Sequence, residues 1–265
     1  MYREDLDVLA LLIVGCTLFG LAVGSFLNVV IYRVPRHESI VSPRSRCPAC
    51  ASPIKEYDNI PVVSWLVLRG RCRHCQAAIS PRYLVVELIG GALFGALAAR
   101  MGYVWELPAY MVFLASLLAL GCIDLELLIL PKRIIYPTLA LVTALLALAS
   151  ATNSDWHRLL VGAICAAAWF VLFFLMNFAS PRILGFGDVR LAPLLGLALG
   201  WLGWRYAVLG FFAANLVGAV IGVALIAAQR IRREQPIPYG VFLAAGAALA
   251  IFAGPEIVAH FQNIR

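Results

Sequence analysis

Charge is scarce in this chain. Only 13% of its 265 residues are charged, and acidic side chains number just 14, about half the charged share of an ordinary soluble domain. That excludes a water-soluble globule. The remainder is 63% hydrophobic with a mean hydropathy of +0.90, which points to an all-α polytopic membrane protein, because a lipid-exposed backbone has to satisfy its own hydrogen bonds. Other absences narrow the reading. No glycine-rich loop follows a recognisable strand, so a Rossmann-type nucleotide site cannot be located. No internal repeat of the kind many transporters show is visible. The first apolar run, 8–32, is too long for a signal-peptide core and lacks a basic leader or a persuasive cleavage site, so it is expected to stay as a helix. The surplus of +7 gives no reason to expect nucleic acid, since basic residues beside membrane spans serve topology and anionic lipid.

Eight apolar runs are present, at 8–32, 83–99, 107–123, 134–151, 159–178, 189–202, 207–228 and 241–259. About 20 residues cross the hydrocarbon, so about eight transmembrane helices are expected, with 189–202 short. Gly20, Gly24 and Ser25 predict a close-packing face on the first helix, Gly196 and Gly200 a second one, and Asn28 an interhelical hydrogen bond. The polar, basic stretch 33–81 is too long for a hairpin between spans. It divides the chain into a first helix (1–32), a small extramembrane domain (33–81) and a membrane domain (82–265). If 33–81 is cytoplasmic, sixteen Lys and Arg fall on that side and five on the other, a positive-inside bias that puts both termini outside.

Against this background, carboxylates near apolar runs are costly and mark function. Asp188 stands in Gly185-Phe186-Gly187-Asp188, and Asp124 in Gly121-Cys122-Ile123-Asp124-Leu125. The charge count, made without them, puts both at the cytoplasmic edge. Two such acids can share a proton and divide hydrolysis, one as general acid and the other activating water. Gly185 and Gly187 are expected to shape that site through close approach and unusual backbone dihedrals. The bland alternative pairs Asp188 with Arg190 or Arg182 and Asp124 with Arg133. Glu126 falls on another helix face, Glu87 is expected to snorkel or meet a base, and Asn177 and Asn215 to bond between helices.

Seven cysteines divide by setting. Cys16, Cys122 and Cys165 lie in apolar runs and read as small core residues. Cys47-Pro48-Ala49-Cys50 and Cys72-Arg73-His74-Cys75 form a C-x2-C pair that can give four thiolates to one tetrahedral zinc, with His74 a bystander. Two disulfides are the alternative.

The ordered set Gly24-Ser25-Phe26-Leu27-Asn28, Cys47-Pro48-x-Cys50, Tyr57-Asp58-Asn59-Ile60-Pro61, Arg69-Gly70-Arg71-Cys72, Ile123-Asp124-Leu125-Glu126, Leu130-Pro131 and Gly185-x-Gly187-Asp188 resembles the type IV prepilin peptidases, membrane aspartic proteases. The resemblance runs over nearly the whole chain. It implies removal of the basic leader from prepilins or pseudopilins at the cytoplasmic face of a bacterial inner membrane. It also implies catalysis by Asp124 and Asp188, zinc at Cys47, Cys50, Cys72 and Cys75, and methylation of the new N-terminus from S-adenosylmethionine. One departure is Lys132, where the family often has an acidic or amide residue. Peptidase activity without methylation, a proton-coupled transporter built on the aspartates, and a redox or metal sensor built on the cysteines are the competing readings.

Overall fold

The computed structural model describes residues 2–42, 44–47, 49–180, 184–229 and 237–263. Arg182, the arginines at 230–233 and Arg265, all counted toward orientation, lie outside the described residues. Among the described residues the regular structure is helical, as composition requires, and the chain divides into two compact units, Met1–Leu107 and Pro108–Arg265.

The N-terminal unit is built on α1 (Tyr2–Arg33) and α3 (Pro81–Met101), which pack along one another; the short α2 (Val63–Val67) lies in the polar segment between them. Helix α3 starts where Ser80 accepts the Arg82 N–H at 3.3 Å with Pro81 in the first position, and it stops at Gly102 with φ +68°. Its contact with α1 is backbone on backbone: a Cβ at Gly24 would sit 2.7 Å from Glu87 Cα, and one at Gly90 2.7 Å from the Gly20 carbonyl. Packing thus groups the third helix with the first, whereas sequence polarity alone draws boundaries at 32 and 81. Asn28 donates to the Tyr83 carbonyl at 3.0 Å, the interhelical bond expected of it. Ser25 leaves the packing face and lines a cavity with Phe26 and Arg33. Glu87 does not snorkel. It is buried and accepts the Val62 N–H at 2.7 Å, holding that residue at φ +63°.

The C-terminal unit contains α4 (Leu107–Leu127), α5 (Lys132–Thr152), α6 (Trp156–Ala179), α7 (Phe186–Leu202), α8 (Trp204–Ala227), α9 (Tyr239–Phe252) and α10 (Gly254–Asn263). At its centre is α7, buried along nearly its whole length. The predicted small faces work against α6, where a Cβ at Gly196 would meet Cys165 O at 2.5 Å and one at Gly200 Cys165 Cβ at 2.5 Å. Tyr110 Oη donates to the Ala198 carbonyl at 2.7 Å and ties α4 to α7, while Trp201 Nε1 donates to Ser150 Oγ at 3.3 Å and ties α7 to α5. On α8, Phe212, Leu216, Val220 and Val223 are exposed along one side, a face suited to lipid.

Six helices are long and apolar enough to cross a membrane, and a seventh span exists if α9 and α10 count as one. The other two apolar runs depart from a simple eight-span picture. Helix α7 has only 17 residues, and the last run bends by 64° between α9 and α10. The bend has a local cause: Pro255 has no N–H to continue the helix and its ring would strike the carbonyl one turn back.

Candidate active site and metal centre

Asp124 lies in the last turn of α4. Just beyond it the Leu128 N–H bonds the Asp124 carbonyl at 2.9 Å, and Leu128 takes φ +55°, which reverses the chain and drops Leu130 back into the protein. Asp188 lies in the first turn of α7, where its N–H bonds the Gly185 carbonyl at 3.1 Å. Both acids are buried, at 5% and 7% exposure.

The fold brings them into one neighbourhood. The Leu130 side chain joins their turns, filling the space beside the α7 and α9 backbones. A Cβ at Gly187 would lie 3.0 Å from Leu130 Cβ, and one at Gly240 3.0 Å from Leu130 Cδ2 and 2.9 Å from Asp124 Oδ2. Among the described residues neither aspartate pairs with Arg133 or Arg190, and the Arg190 guanidinium instead covers the Phe186 ring at 4.7 Å; the pairing of Asp188 with Arg182 falls outside the described residues. Two buried carboxyl groups carried on turns that meet at Leu130 have the chemistry to activate and to protonate around a single water.

The glycines serve this arrangement differently from expectation. Gly185 caps α7 with φ −71°, and neither it nor Gly187 has a positive φ. What they supply is room for Leu130 and for Asp188 Oδ2, which is 3.4 Å from a Cβ placed on Gly185. Glu126 is exposed, away from the pair, as its position in the helix requires. Asn177 bonds the Leu184 carbonyl at 2.6 Å in the connection after its own helix, whereas Asn215 links α8 to α9 by accepting from Tyr239 Oη at 3.2 Å.

Sequence reading missed the third side of the site. Gly240, second residue of α9, donates its main-chain N–H to Asp124 Oδ2 at 2.8 Å. Tyr239 beside it packs on Phe173 at 6.4 Å between ring centroids. The signal in the sequence was a Pro-Tyr-Gly opening an apolar run, which reads as nothing more than a helix start.

In the other unit, the four Sγ atoms of Cys47, Cys50, Cys72 and Cys75 all lie within 4.8 Å of one another. Two matching turns deliver them. Cys47 N–H bonds Ser52 O and Ala51 N–H bonds Cys47 O, both at 2.9 Å; Cys72 N–H bonds Ala77 O at 2.9 Å and Gln76 N–H bonds Cys72 O at 3.0 Å. Each turn closes through a left-handed residue, Ala51 at φ +57° and Gln76 at φ +59°.

The donor set fits a tetrahedral metal. Zinc–sulfur bonds of about 2.3 Å put neighbouring sulfurs about 3.8 Å apart, and Cys47 Sγ and Cys75 Sγ are 3.7 Å apart. All seven cysteines are free thiols, so the disulfide alternative is not the one realised. Hydrogen bonds from the Ser52 side chain and main chain bring Cys50 down to about 6. Main-chain N–H groups of Cys75 and His74 lower Cys72. Thiolates, the metal-binding form, are therefore favoured at two of the four positions. Cys75 is the opposite: the Ala77 N–H favours its thiolate, but burial and the three neighbouring thiols outweigh it and raise it to about 11. Arg73 grips Asp58 with both ends of its fork, Nε to Oδ2 at 2.9 Å and Nη2 to Oδ1 at 2.6 Å, and holds that carboxyl below the usual range.

Comparison with known proteins gives the same two parts. Residues 18–101 match the Bacterial Peptidase A24 N-terminal domain and residues 111–223 the Type IV leader peptidase family. Similar chains include a Prepilin leader peptidase/N-methyltransferase of Stutzerimonas stutzeri, 34% identical over 91% of this chain and 91% of that protein. Another of that name, from Pseudomonas aeruginosa, is 34% identical over 95% of each, and one from Myxococcus xanthus is 43% identical over 83% of this chain and 67% of that protein. No solved structure matches.

Proposed function

The chain belongs to the type IV leader peptidase family, and from that premise we propose that it cuts the leader from prepilins or pseudopilins, with Asp124 and Asp188 as the catalytic pair, and methylates the N-terminus it exposes. The observation that carries the peptidase reading is the burial of two carboxyl groups at the ends of α4 and α7, on turns that the Leu130 side chain joins.

The chemistry follows from their closeness. Carboxylates that share one water in a poorly solvated site do not both ionise freely, so the pair enters the reaction with one proton between them. One carboxylate takes a proton from water as it attacks the scissile carbonyl; the other carboxyl protonates the departing amine. The substrate's apolar segment lies alongside the helices in the bilayer and its basic leader stays in water, which puts the cut at the cytoplasmic boundary of the inner membrane. The charge bias supports that sidedness, with both termini outside. Family membership leaves the transporter reading of the aspartates without support.

The four cysteines would hold a structural zinc that braces 33–81, where the paired turns support a closed, all-thiolate site without an open position for chemistry. That arrangement also speaks against a redox role.

S-adenosylmethionine supplies an electrophilic methyl group to an amine. Its carboxylate and purine call for a cation and an aromatic face. A cavity of about 370 Å³ in the N-terminal unit, lined among others by Arg33, Arg44, Phe26 and Asn59, offers both, so these residues would hold it.

Replacing Asp124 or Asp188 singly by Asn in the purified enzyme is expected to reduce prepilin cleavage by at least about 1,000-fold. Substantial cleavage by either variant rules out the pair. Mass spectrometry of the wild-type product then reads methylation directly: a mature N-terminus heavier by one methyl group is expected, and an unmodified one would leave a peptidase alone.

A further inference from the structure

Asp124 is held by a helix that lies more than a hundred residues further along the chain. Its Oδ2 accepts the Gly240 N–H at 2.8 Å. The contact leaves no slack, because a methyl group at Gly240 would lie 2.9 Å from that oxygen and 3.0 and 3.2 Å from the two Leu130 methyls.

The donor is itself fixed. Tyr239 Oη donates to Asn215 Oδ1 at 3.2 Å, and Asn215 Nδ2 donates to the Phe211 carbonyl at 2.8 Å. The Tyr239 ring rests on Phe173, whose ring meets Phe211 edge-on at 6.2 Å. Helices α6, α8 and α9 together therefore set where the Gly240 N–H points. An aspartate's terminal torsion is broad and poorly defined by rotamer preference alone, so an N–H bound to one oxygen decides how the other is presented.

Resting on the reading of Asp124 and Asp188 as the catalytic pair, we propose that Gly240 is a positioning residue of this reaction: its N–H holds Asp124 Oδ2 and so fixes how the carboxyl group is presented to a water. Any residue but proline could supply the N–H. Only glycine lets the carboxylate come this close.

The test compares Gly240→Ala with Gly121→Ala, a glycine on the same helix as Asp124 where an added Cβ meets nothing within 4 Å. The full chain is purified in detergent and cleavage of prepilin is followed. Misplacing a catalytic group by about 1 Å costs about 100-fold. Gly240→Ala is therefore expected to lose about 100-fold in kcat with KM within about twofold, and Gly121→Ala to keep both within about twofold. Thermal midpoints report folding. Because the alanine methyl also strikes Leu130, the substitution is repeated on a Leu130→Ala background, which frees the space; that pair decides the matter if Gly240→Ala alone does not fold. The same loss relative to Leu130→Ala is expected. Parental kcat in Gly240→Ala, a loss confined to KM, or a loss that vanishes on the Leu130→Ala background would overturn the positioning role. If Asp124→Asn and Asp188→Asn are inactive while Gly240→Ala is active, only this role falls; if the Asn variants cleave, the catalytic pair falls first.

Discussion

At Gly187 the requirement is for space rather than for backbone freedom. Its φ is ordinary, yet a Cβ there would stand 3.0 Å from Leu130 Cβ, tighter than the 3.4 Å that a Cβ on Gly185 would make with Asp188 Oδ2. Helical propensity alone would reward alanine at an internal helical glycine by about 1 kcal/mol. Gly187→Ala should instead lower cleavage by displacing Leu130 from between α7 and α9, while Gly185→Ala should be mild; initial rates on one prepilin substrate rank the two, and the reverse order would refute the packing account. The acids and the four cysteines were legible in the sequence because each is expensive or conspicuous where it stands: a carboxylate beside lipid, a thiol pair in a polar loop. Gly240 was not. It acts through a main-chain N–H that every non-proline residue carries, so only the approach of Asp124 Oδ2 at 2.8 Å marks it out.

At the scale of elements, the polar segment is organised by its two cysteine turns more than by secondary structure. Among its described residues only α2 and a single 3-10 turn at Glu56–Asn59 are regular. Removing the metal should therefore loosen this segment before anything else. Incubation with a chelator is expected to expose 46–78 to limited proteolysis while prepilin cleavage persists for a time; cleavage lost at once, with the segment still resistant, would give the metal a catalytic part. The Asp58–Arg73 clamp adds to this segment's order in a pH-dependent way. Because Arg73 depresses the Asp58 carboxyl, its contribution is complete above the ordinary carboxylate range of about 4 and fades only as pH falls through the lowered value. Helices were the most legible elements, since apolar length forces them. Their breaks were less so: hydropathy runs unbroken through Gly254-Pro255, and the 64° bend there is announced by local chemistry that an average over the run conceals.

At the scale of the molecule, the polarity pattern pointed to a membrane-embedded helical protein, the cysteine spacing to an appended metal loop, and the two aspartates placed on one side to hydrolysis. What they did not give was the grouping of helices. Helix α3 sides with α1 because Gly20, Gly24 and Gly90 let two backbones touch, a matter of shape that polarity does not record. Within the C-terminal unit the same logic makes α7 the buried axis, tied to α4 by Tyr110, to α5 by Trp201 and to α6 by glycines, so that Asp188 is carried on a buried helix held by three neighbours. The most direct check of the proposed pair is a double variant, Asp124→Cys with Asp188→Cys, in a chain whose Cys16, Cys122 and Cys165 are replaced by Ala. Treated in the resting state with a short bifunctional thiol reagent and read by mass spectrometry, it should bridge 124 to 188 rapidly; no bridge, under conditions where each cysteine alone is labelled, would contradict a preformed pair.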